Sequence, residues 1–354
     1  MTDPYRFAGR TAVLTGAASG IGEQLAYGLA QRGSHLVLVD VDAERLEPVV
    51  ARIRAAHPAL EVTPLIADLS DRAQATGVAE RVLAAHPTIG LLINNAGIAL
   101  GGRFDQVSVE QFEQVMNVNF RAPMLLIHAL LPALTATPGS HIVNMSSLFG
   151  LISPYGQSAY SASKFALRGL SQVLRAELAE NGVGVTTVHP GGIRTRIAQS
   201  ALVGTGVPAA DREPHQRIFD ALLTYPPSKA AEQILNAVTR RKARLLIASS
   251  AKLPDLLARL APVGHARIMQ AITNTLTHRS RTPSPAAAVP PSPSSPPTDT
   301  RPPAASTAPS SPPSTTPPPS ASAAPSSLTT TPSSSGSTDM PVAPAGEPSA
   351  EGGR

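Results

Sequence analysis

Short apolar runs separated by stretches of helical spacing recur along most of this chain, and that alternation restricts it to one architecture. Thr11 to Thr15, His35 to Asp40, Glu61 to Ala67, Gly90 to Asn94, His141 to Met145, Val183 to His189 and Ala243 to Ala248 carry apolar residues at successive positions, not only alternate ones. Strands of that kind are covered on both faces. Between them lie helical patterns: Gly20 to Arg32, the segment after Asp42, Ser70 to Ala85, Ser108 to Leu134, Ser158 to Asn181 and Ser228 to Arg240. In the first, Ile21, Leu25 and Leu29 fall four apart and Gly33 supplies a stop. Asp42 offers a cap to a helix carrying Leu46, Val49, Val50 and Ile53, with Pro48 as a candidate kink. Strands buried on both faces and joined by helices make a parallel sheet, and right-handed crossovers make it doubly wound. The expected fold class is α/β, a doubly wound parallel sheet of about seven strands.

This architecture accounts for residues 1–250 as one domain, followed by a basic amphipathic helical extension over 251–281. Residues 282–354 are almost entirely Pro, Ser, Thr and Ala. Such a stretch buries too little apolar surface to offset its ordering entropy, so a disordered tail is expected, either a plain solubilising extension or a tether. Cysteine is absent, which excludes disulfides, thiolate metal sites and thiol catalysis. The nine histidines form no ligand-spaced pair, so no metal is expected. The net charge of +5 is spread out, with Arg240, Arg241, Lys242 and Arg244 as the densest cluster, and nucleic acid is not an expected partner. The first ten residues lack the apolar core of a secretion signal. Ala122 to Ala136 reads as too short to span a bilayer and as broken by Pro123, His128 and Pro132. A cytoplasmic protein is expected.

The first strand runs directly into Gly16, Ala17, Ala18, Ser19, Gly20, Ile21 and Gly22, which open a helix. Glycines there let the backbone turn tightly against a pyrophosphate, and the helix N-terminus offers free N–H groups to the anion. Asp40 ends the second strand, where a carboxylate can accept from ribose hydroxyls and repel a 2′-phosphate. Val41 is not basic and Ala18 is not arginine, which favours NAD. Arg45, one turn further on, leaves NADP open.

Tyr160 and Lys164 lie four apart, on one face of a helix. An ammonium beside a phenol lowers the phenol's pKa, so Tyr160 could give or take a proton at a carbonyl or alcohol oxygen. Alone, such a pair is usually just solvated. Ser147 changes that: it stands thirteen residues upstream, just past a strand end, where sites of such sheets form, and its hydroxyl could hold the substrate oxygen. Pro123 has no N–H to give the carbonyl of Asn119, which leaves that carbonyl available to a water.

The spacing of Gly16, Gly20 and Gly22, the pair Asp68-Leu69, the run Asn94-Asn95-Ala96-Gly97 and the pair Pro190-Gly191 together resemble the short-chain dehydrogenase/reductase family, whose members have a Rossmann fold. The resemblance covers roughly residues 5 to 250. It implies Asp68 and Leu69 at the adenine and Asn95, Ala96 and Gly97 at the adenosine ribose. Pro190, Gly191, Ile193 and Thr195 would lie along the nicotinamide, completing a cofactor set with Gly16, Ser19, Gly20, Ile21, Gly22, Asp40, Tyr160 and Lys164. It further implies Asn119, Ser147, Tyr160 and Lys164 as the catalytic residues, selects Ser147 over Ser146, and places Asn119 in a water relay from the lysine. Ala122 stands where the family usually has glycine. A homodimer or homotetramer is implied.

The reaction so expected is hydride exchange between NAD(P) and a secondary alcohol or ketone. The alternatives are an NADPH-dependent 3-oxoacyl-type reductase and a catalytically silent dinucleotide-binding regulator. Arg194 to Pro227 should cover the substrate. Its Ile197, Leu202, Val203, Val207, Ile218, Phe219, Leu222, Leu223 and Tyr225 either suit an apolar, lipid-like substrate or pack onto the domain. Leu253 to Leu276 carries Leu253, Leu256, Leu257, Leu260, Ile268, Met269, Ile272 and Leu276 as an apolar stripe, broken near Pro262, Val263 and Gly264. With Lys252, Arg259, Arg267, Arg279 and Arg281, residues 252–281 read either as a surface for peripheral membrane contact or as packing against the domain or a second subunit.

Overall fold

The computed structural model describes residues 3–197, 200–210, 223–265 and 267. Ile218, Phe219, Leu222, the apolar stripe from Ile268 onward, Arg279, Arg281 and the 282–354 tail lie outside the described residues.

Seven strands form one parallel sheet: β1 (Thr11–Thr15), β2 (His35–Asp40), β3 (Val62–Ile66), β4 (Leu91–Asn94), β6 (His141–Met145), β7 (Gly184–Pro190) and β9 (Arg244–Ile247). Their order is β3-β2-β1-β4-β6-β7-β9, so the sheet grows outward in both directions from the β1–β4 pair. That reversal leaves a crevice at the carboxyl ends of β1 and β4. Two further strands, β5 (Leu100–Gly101) and β8 (Leu202–Val203), pair with each other in parallel, away from the main sheet.

The successive apolar residues of each strand divide between two cores. Leu14, Leu36, Leu38, Leu91, Ile93 and Val188 point to one face. There they meet α1 (Gly20–Gln31), α2 (Ala43–Ala56) and α7 (Pro227–Thr239). Val13, Val37, Val39, Leu92, Ile142 and Val185 point to the other face, against α3 (Arg72–Ala85), α5 (Ala122–Thr135) and α6 (Ser158–Glu177). The period of two along a strand thus fills both layers. Asp42 caps α2 by accepting from the Arg45 N–H, and the helix continues through Pro48. The third helix starts later than its sequence pattern suggests, because Asp71, not Ser70, accepts from the Gln74 N–H.

The expected helix from Ser108 to Leu134 is three pieces in one continuous run. α4 (Val109–Met116) begins with a capping box between Ser108 and Gln111. A π turn follows over Asn117–Arg121, in which the Ala122 N–H donates to the Asn117 carbonyl, and α5 completes the run. The whole run, Val109–Thr135, is 27 residues and is long and apolar enough to cross a membrane by length and composition. This corrects the expectation of a short, broken stretch. Pro123 sits in the first turn of α5, where a missing N–H costs little, and Pro132 sits near its end. The apolar side chains are occupied: Leu126, Leu130 and Leu134 are fully buried against the sheet and α3.

Helix α8 (Ser249–Leu260) follows β9 and ends before Pro262 and Val263. Its buried residues are Ala251 and Asp255.

Candidate active site

The glycine turn between β1 and α1 is held from two sides. The Gly16 N–H donates to the Val39 carbonyl at 2.8 Å, and the Ala18 N–H donates to Asp40 Oδ2 at 2.8 Å. The other Asp40 oxygen accepts from the Asp42 N–H at 3.1 Å. Asp40 is therefore no free solvated carboxylate; it fastens the turn to the end of β2. A Cβ on Gly22 would lie 1.8 Å from the Gly16 carbonyl oxygen, so the turn closes only around glycine. Ser19, at the N-cap of α1, does not use its hydroxyl to cap the helix, so that hydroxyl leaves the first-turn donors untouched. In front of it opens a cleft of about 410 Å³, lined by Ala18, Ser19, Gly20, Arg45, Arg194 and Thr195 among others. Uncapped N–H groups and arginines around one concavity suit a phosphate-bearing ligand. Arg45 is paired with Asp42 at 2.9 Å.

The run after β4 is clasped to this turn. Asn95 Nδ2 donates to the carbonyls of Thr15 and Gly16, each at 3.0 Å. The Thr15 hydroxyl accepts from the N–H groups of Asn95 and Ala96, each at 3.0 Å. One residue on, a Cβ at Gly97 would sit 3.1 Å from Asn119 Oδ1 and 3.2 Å from Lys164 Nζ. Gly97 thus marks where the glycine-turn side meets the Asn119–Lys164 side.

Asn119 lies in the π turn and is fully buried. Its Oδ1 accepts from the Ile98 N–H at 2.9 Å, and its Nδ2 donates to the Ile98 carbonyl and to Ser163 Oγ, each at 3.0 Å. Ser163 in turn donates to the Tyr160 carbonyl at 2.7 Å. The side chain is fully used in tying the 97–99 loop to α6, so any further role falls to the Asn119 backbone carbonyl, which Pro123 cannot serve.

On α6, Tyr160 and Lys164 share a face as their spacing requires, with Nζ 5.6 Å from the centre of the tyrosine ring. Lys164 is 3% exposed and donates to the Met145 carbonyl at 3.0 Å. Burial with no carboxylate partner lowers its ammonium from 10.5 to about 8. Burial pushes the Tyr160 phenol above its ordinary range, and its hydrogen bond with Ser147 pulls it part of the way back. The Lys164 ammonium is directed at the Met145 carbonyl, and burial is the largest influence on the phenol.

The two adjacent serines are separated by direction. Ser146 Oγ donates to the Lys164 carbonyl inside α6 at 2.9 Å. Ser147 Oγ faces Tyr160 and accepts from the Phe149 N–H at 3.1 Å. Sequence reading did not single out His189, at the end of β7. Its Nδ1 lies 3.0 Å from the Ser147 carbonyl, which also accepts from the Gly150 N–H at 3.0 Å. A carbonyl only accepts, so Nδ1 carries the proton, and burial holds the ring near a pKa of about 4, hence neutral. A lone histidine within an apolar run gives no sequence signal for this contact.

The remaining sequence-predicted residues divide by side chain and backbone. Leu69 and Ile193 are buried in the second and first cores, so only their backbones can face the crevice. Asp68 is exposed and accepts from the Ser70 N–H at 2.8 Å. Pro190 and Gly191 continue β7, and Thr195 comes back against Gly20, where a Cβ would meet Thr195 Cγ2 at 3.0 Å. Of the covering segment, Tyr225 packs on the first core and bridges to Ile193, and Leu202 packs on a small third core of Leu100, Val115 and Ala159. Those two serve the domain.

A family model described as short chain dehydrogenase matches residues 10–203. A Mycobacterium tuberculosis protein named SadH is 39% identical over 268 residues, covering 75% of this chain and 95% of that protein. Among solved structures, a short chain dehydrogenase/reductase from Burkholderia phymatum in complex with NAD superposes with a TM-score of 0.67 at 30% identity, covering 73% of this chain and 95% of its own. A short-chain dehydrogenase from Sphingobium yanoikuyae in complex with NADPH gives 0.58 at 29% identity, covering 79% of this chain and 98% of its own.

Proposed function

The chain belongs to the short-chain dehydrogenase/reductase family, and on that premise we propose that it interconverts a secondary alcohol and a ketone, with NAD as hydride carrier and Tyr160 as the acid and base. The observation that carries this reading is that Ser147 and Tyr160 face each other beside a buried Lys164, while the run 95–97 touches both Lys164 and the glycine turn. A nicotinamide dinucleotide, when bound, takes the hydride from the carbinol carbon or returns it to the carbonyl carbon. The Ser147 hydroxyl holds the substrate oxygen. Tyr160 Oη removes the hydroxyl proton in oxidation and returns it in reduction. Lys164, with a pKa of about 8, exchanges protons readily near neutral pH and passes them toward water at the Asn119 carbonyl.

Asp40 supports NAD over NADP, because its charge stays at the end of β2, where a 2′-phosphate would lie. Arg45 answers to Asp42 and offers a phosphate a partly neutralised charge. An apolar substrate is supported by Phe104, Tyr155 and Val203, all exposed. Val203 pairs with Gly101, and Phe104 and Tyr155 stand two residues from Gly102 and Gln157, which bridge at the start of the helix bearing Tyr160.

A panel of secondary alcohols and ketones, read by reduced-nicotinamide absorbance with each dinucleotide, tests the proposal. Turnover should be faster with NAD, and Tyr160→Phe should lose at least about a thousandfold in kcat while its NAD affinity stays within about threefold. Normal turnover in that variant, or dinucleotide binding with no substrate turned over, would overturn it.

A further inference from the structure

Helix α8 carries its apolar residues on the wrong side for a helix that merely packs on its own domain. Leu253, Leu256 and Leu260 are 72%, 52% and 77% exposed, and Val263 in the following turn is 90% exposed. At 3.6 residues per turn the three leucines fall within about 60° of one another, a single stripe. The face turned to the domain holds Ala251 and Asp255, and its anchor is electrostatic. Asp255 pairs with Arg244 of β9 and with Arg259 one turn on, the latter at 3.2 Å. That pairing consumes the only acid of the helix.

The charge around the stripe has one sign. Lys252, Arg259 and Arg267 are exposed, and Lys252 and Arg259 lie on the same flank of the stripe. In sequence no acidic residue occurs between Asp255 and Asp299, whereas Arg259, Arg267, Arg279 and Arg281 all do. A second copy of this helix would therefore set cations against cations with no acid to answer them. An anionic, partly apolar surface satisfies both features at once.

We infer that α8 is a membrane-docking helix, which lies in the headgroup layer of an anionic bilayer with Leu253, Leu256, Leu260 and Val263 inserted and Lys252 and Arg267 against the lipid phosphates. Helices with an apolar face, a cationic flank and few acids bind such interfaces. The salt bridge to Arg244 holds the helix to β9, so the whole domain rides on the bilayer. The consequence for the enzyme is a supply of substrate from the lipid phase.

The test is flotation of the full chain with vesicles of phosphatidylglycerol and, separately, of phosphatidylcholine. Binding is expected on the anionic vesicles, weaker by at least about tenfold on the neutral ones, and reduced by salt. The triple variant Leu253→Ser, Leu256→Ser, Leu260→Ser should lose at least about tenfold in partitioning, with dinucleotide affinity and sedimentation unchanged. Should that variant fold poorly, Lys252→Glu with Arg267→Glu leaves the leucines in place and must weaken the same binding. No flotation on phosphatidylglycerol, equal binding to both vesicles, or undiminished binding of these variants would overturn the proposal. So would a change of sedimentation in the leucine variant, which would make the stripe an interface between copies.

Discussion

Replacing Lys164 by methionine should compare more favourably with the wild type in stability at neutral pH than at high pH, even as it removes activity. Lys164 is almost fully buried, its ammonium meets one carbonyl and no carboxylate, and its pKa drops from 10.5 to about 8. At about 1.36 kcal/mol per unit, keeping the lysine charged in the fold costs about 3 kcal/mol below pH 8. The sign follows from proton counts. Between pH 8 and 10.5 the unfolded chain holds the lysine proton and the folded chain has released it, so stability rises with pH in that window and is flat below it. From pH 7 to pH 10 the wild type should regain about 2.5 kcal/mol that the methionine variant, with nothing to titrate there, cannot. The lost hydrogen bond to Met145 and the altered packing do not depend on pH and cancel in that comparison. Urea unfolding of both proteins at the two pH values measures it, with other titrating groups common to both. A wild-type minus variant difference that stays constant from pH 7 to pH 10 would refute the argument, and with it the view that the site holds a poorly solvated charge.

Gly22→Ala should destabilise the fold by more than about 2 kcal/mol and abolish dinucleotide binding, because its Cβ would meet a backbone oxygen that cannot move aside; an unchanged Tm would count against it. His189→Leu should lower kcat about tenfold with little change in KM, since the Ser147 carbonyl keeps only the Gly150 donor, and His189→Asn should restore most of the loss by donating from its amide. The same ring predicts a pH effect. With a folded pKa of about 4 against 6.5 unfolded, stability is present above pH 6.5 and lost as pH falls toward 4. Between pH 7 and pH 5 His189→Asn should lose about 2 kcal/mol less than the wild type, and equal losses would contradict the buried neutral ring.

The sheet was readable because each of its seven strands is apolar on both faces, a pattern few other arrangements tolerate. β5 and β8 were not readable, since two residues make no period and their pairing joins segments a hundred residues apart. Tyr160, Lys164 and the glycine turn could be placed from spacing alone, because a helix and a tight turn are local. What spacing could not supply was direction. Ser146 and Ser147 are neighbours of the same type, and only the fold turns one into α6 and the other toward Tyr160. The Thr15–Asn95 clasp and the His189 contact join strands far apart in sequence, so neither leaves a local trace. The stripe on α8 was visible as a stripe, but that it faces outward follows from Asp255, whose pairing with Arg244 turns the other face inward.

The π turn at Asn119 has a consequence for how such an enzyme can change. A π turn is what a single inserted residue leaves in a helix. In an unbroken α-helix Val115 and Leu126, eleven residues apart, would share a face. Here they serve different cores, Val115 the small cluster beside the β5–β8 pair and Leu126 the layer against the sheet. The extra residue acts as a phase adjuster between two parts of one helix. The half that meets the β5–β8 pair can drift in sequence and tilt over evolutionary time without re-phasing the half that packs the sheet. A change of substrate need not disturb the fold that carries the chemistry.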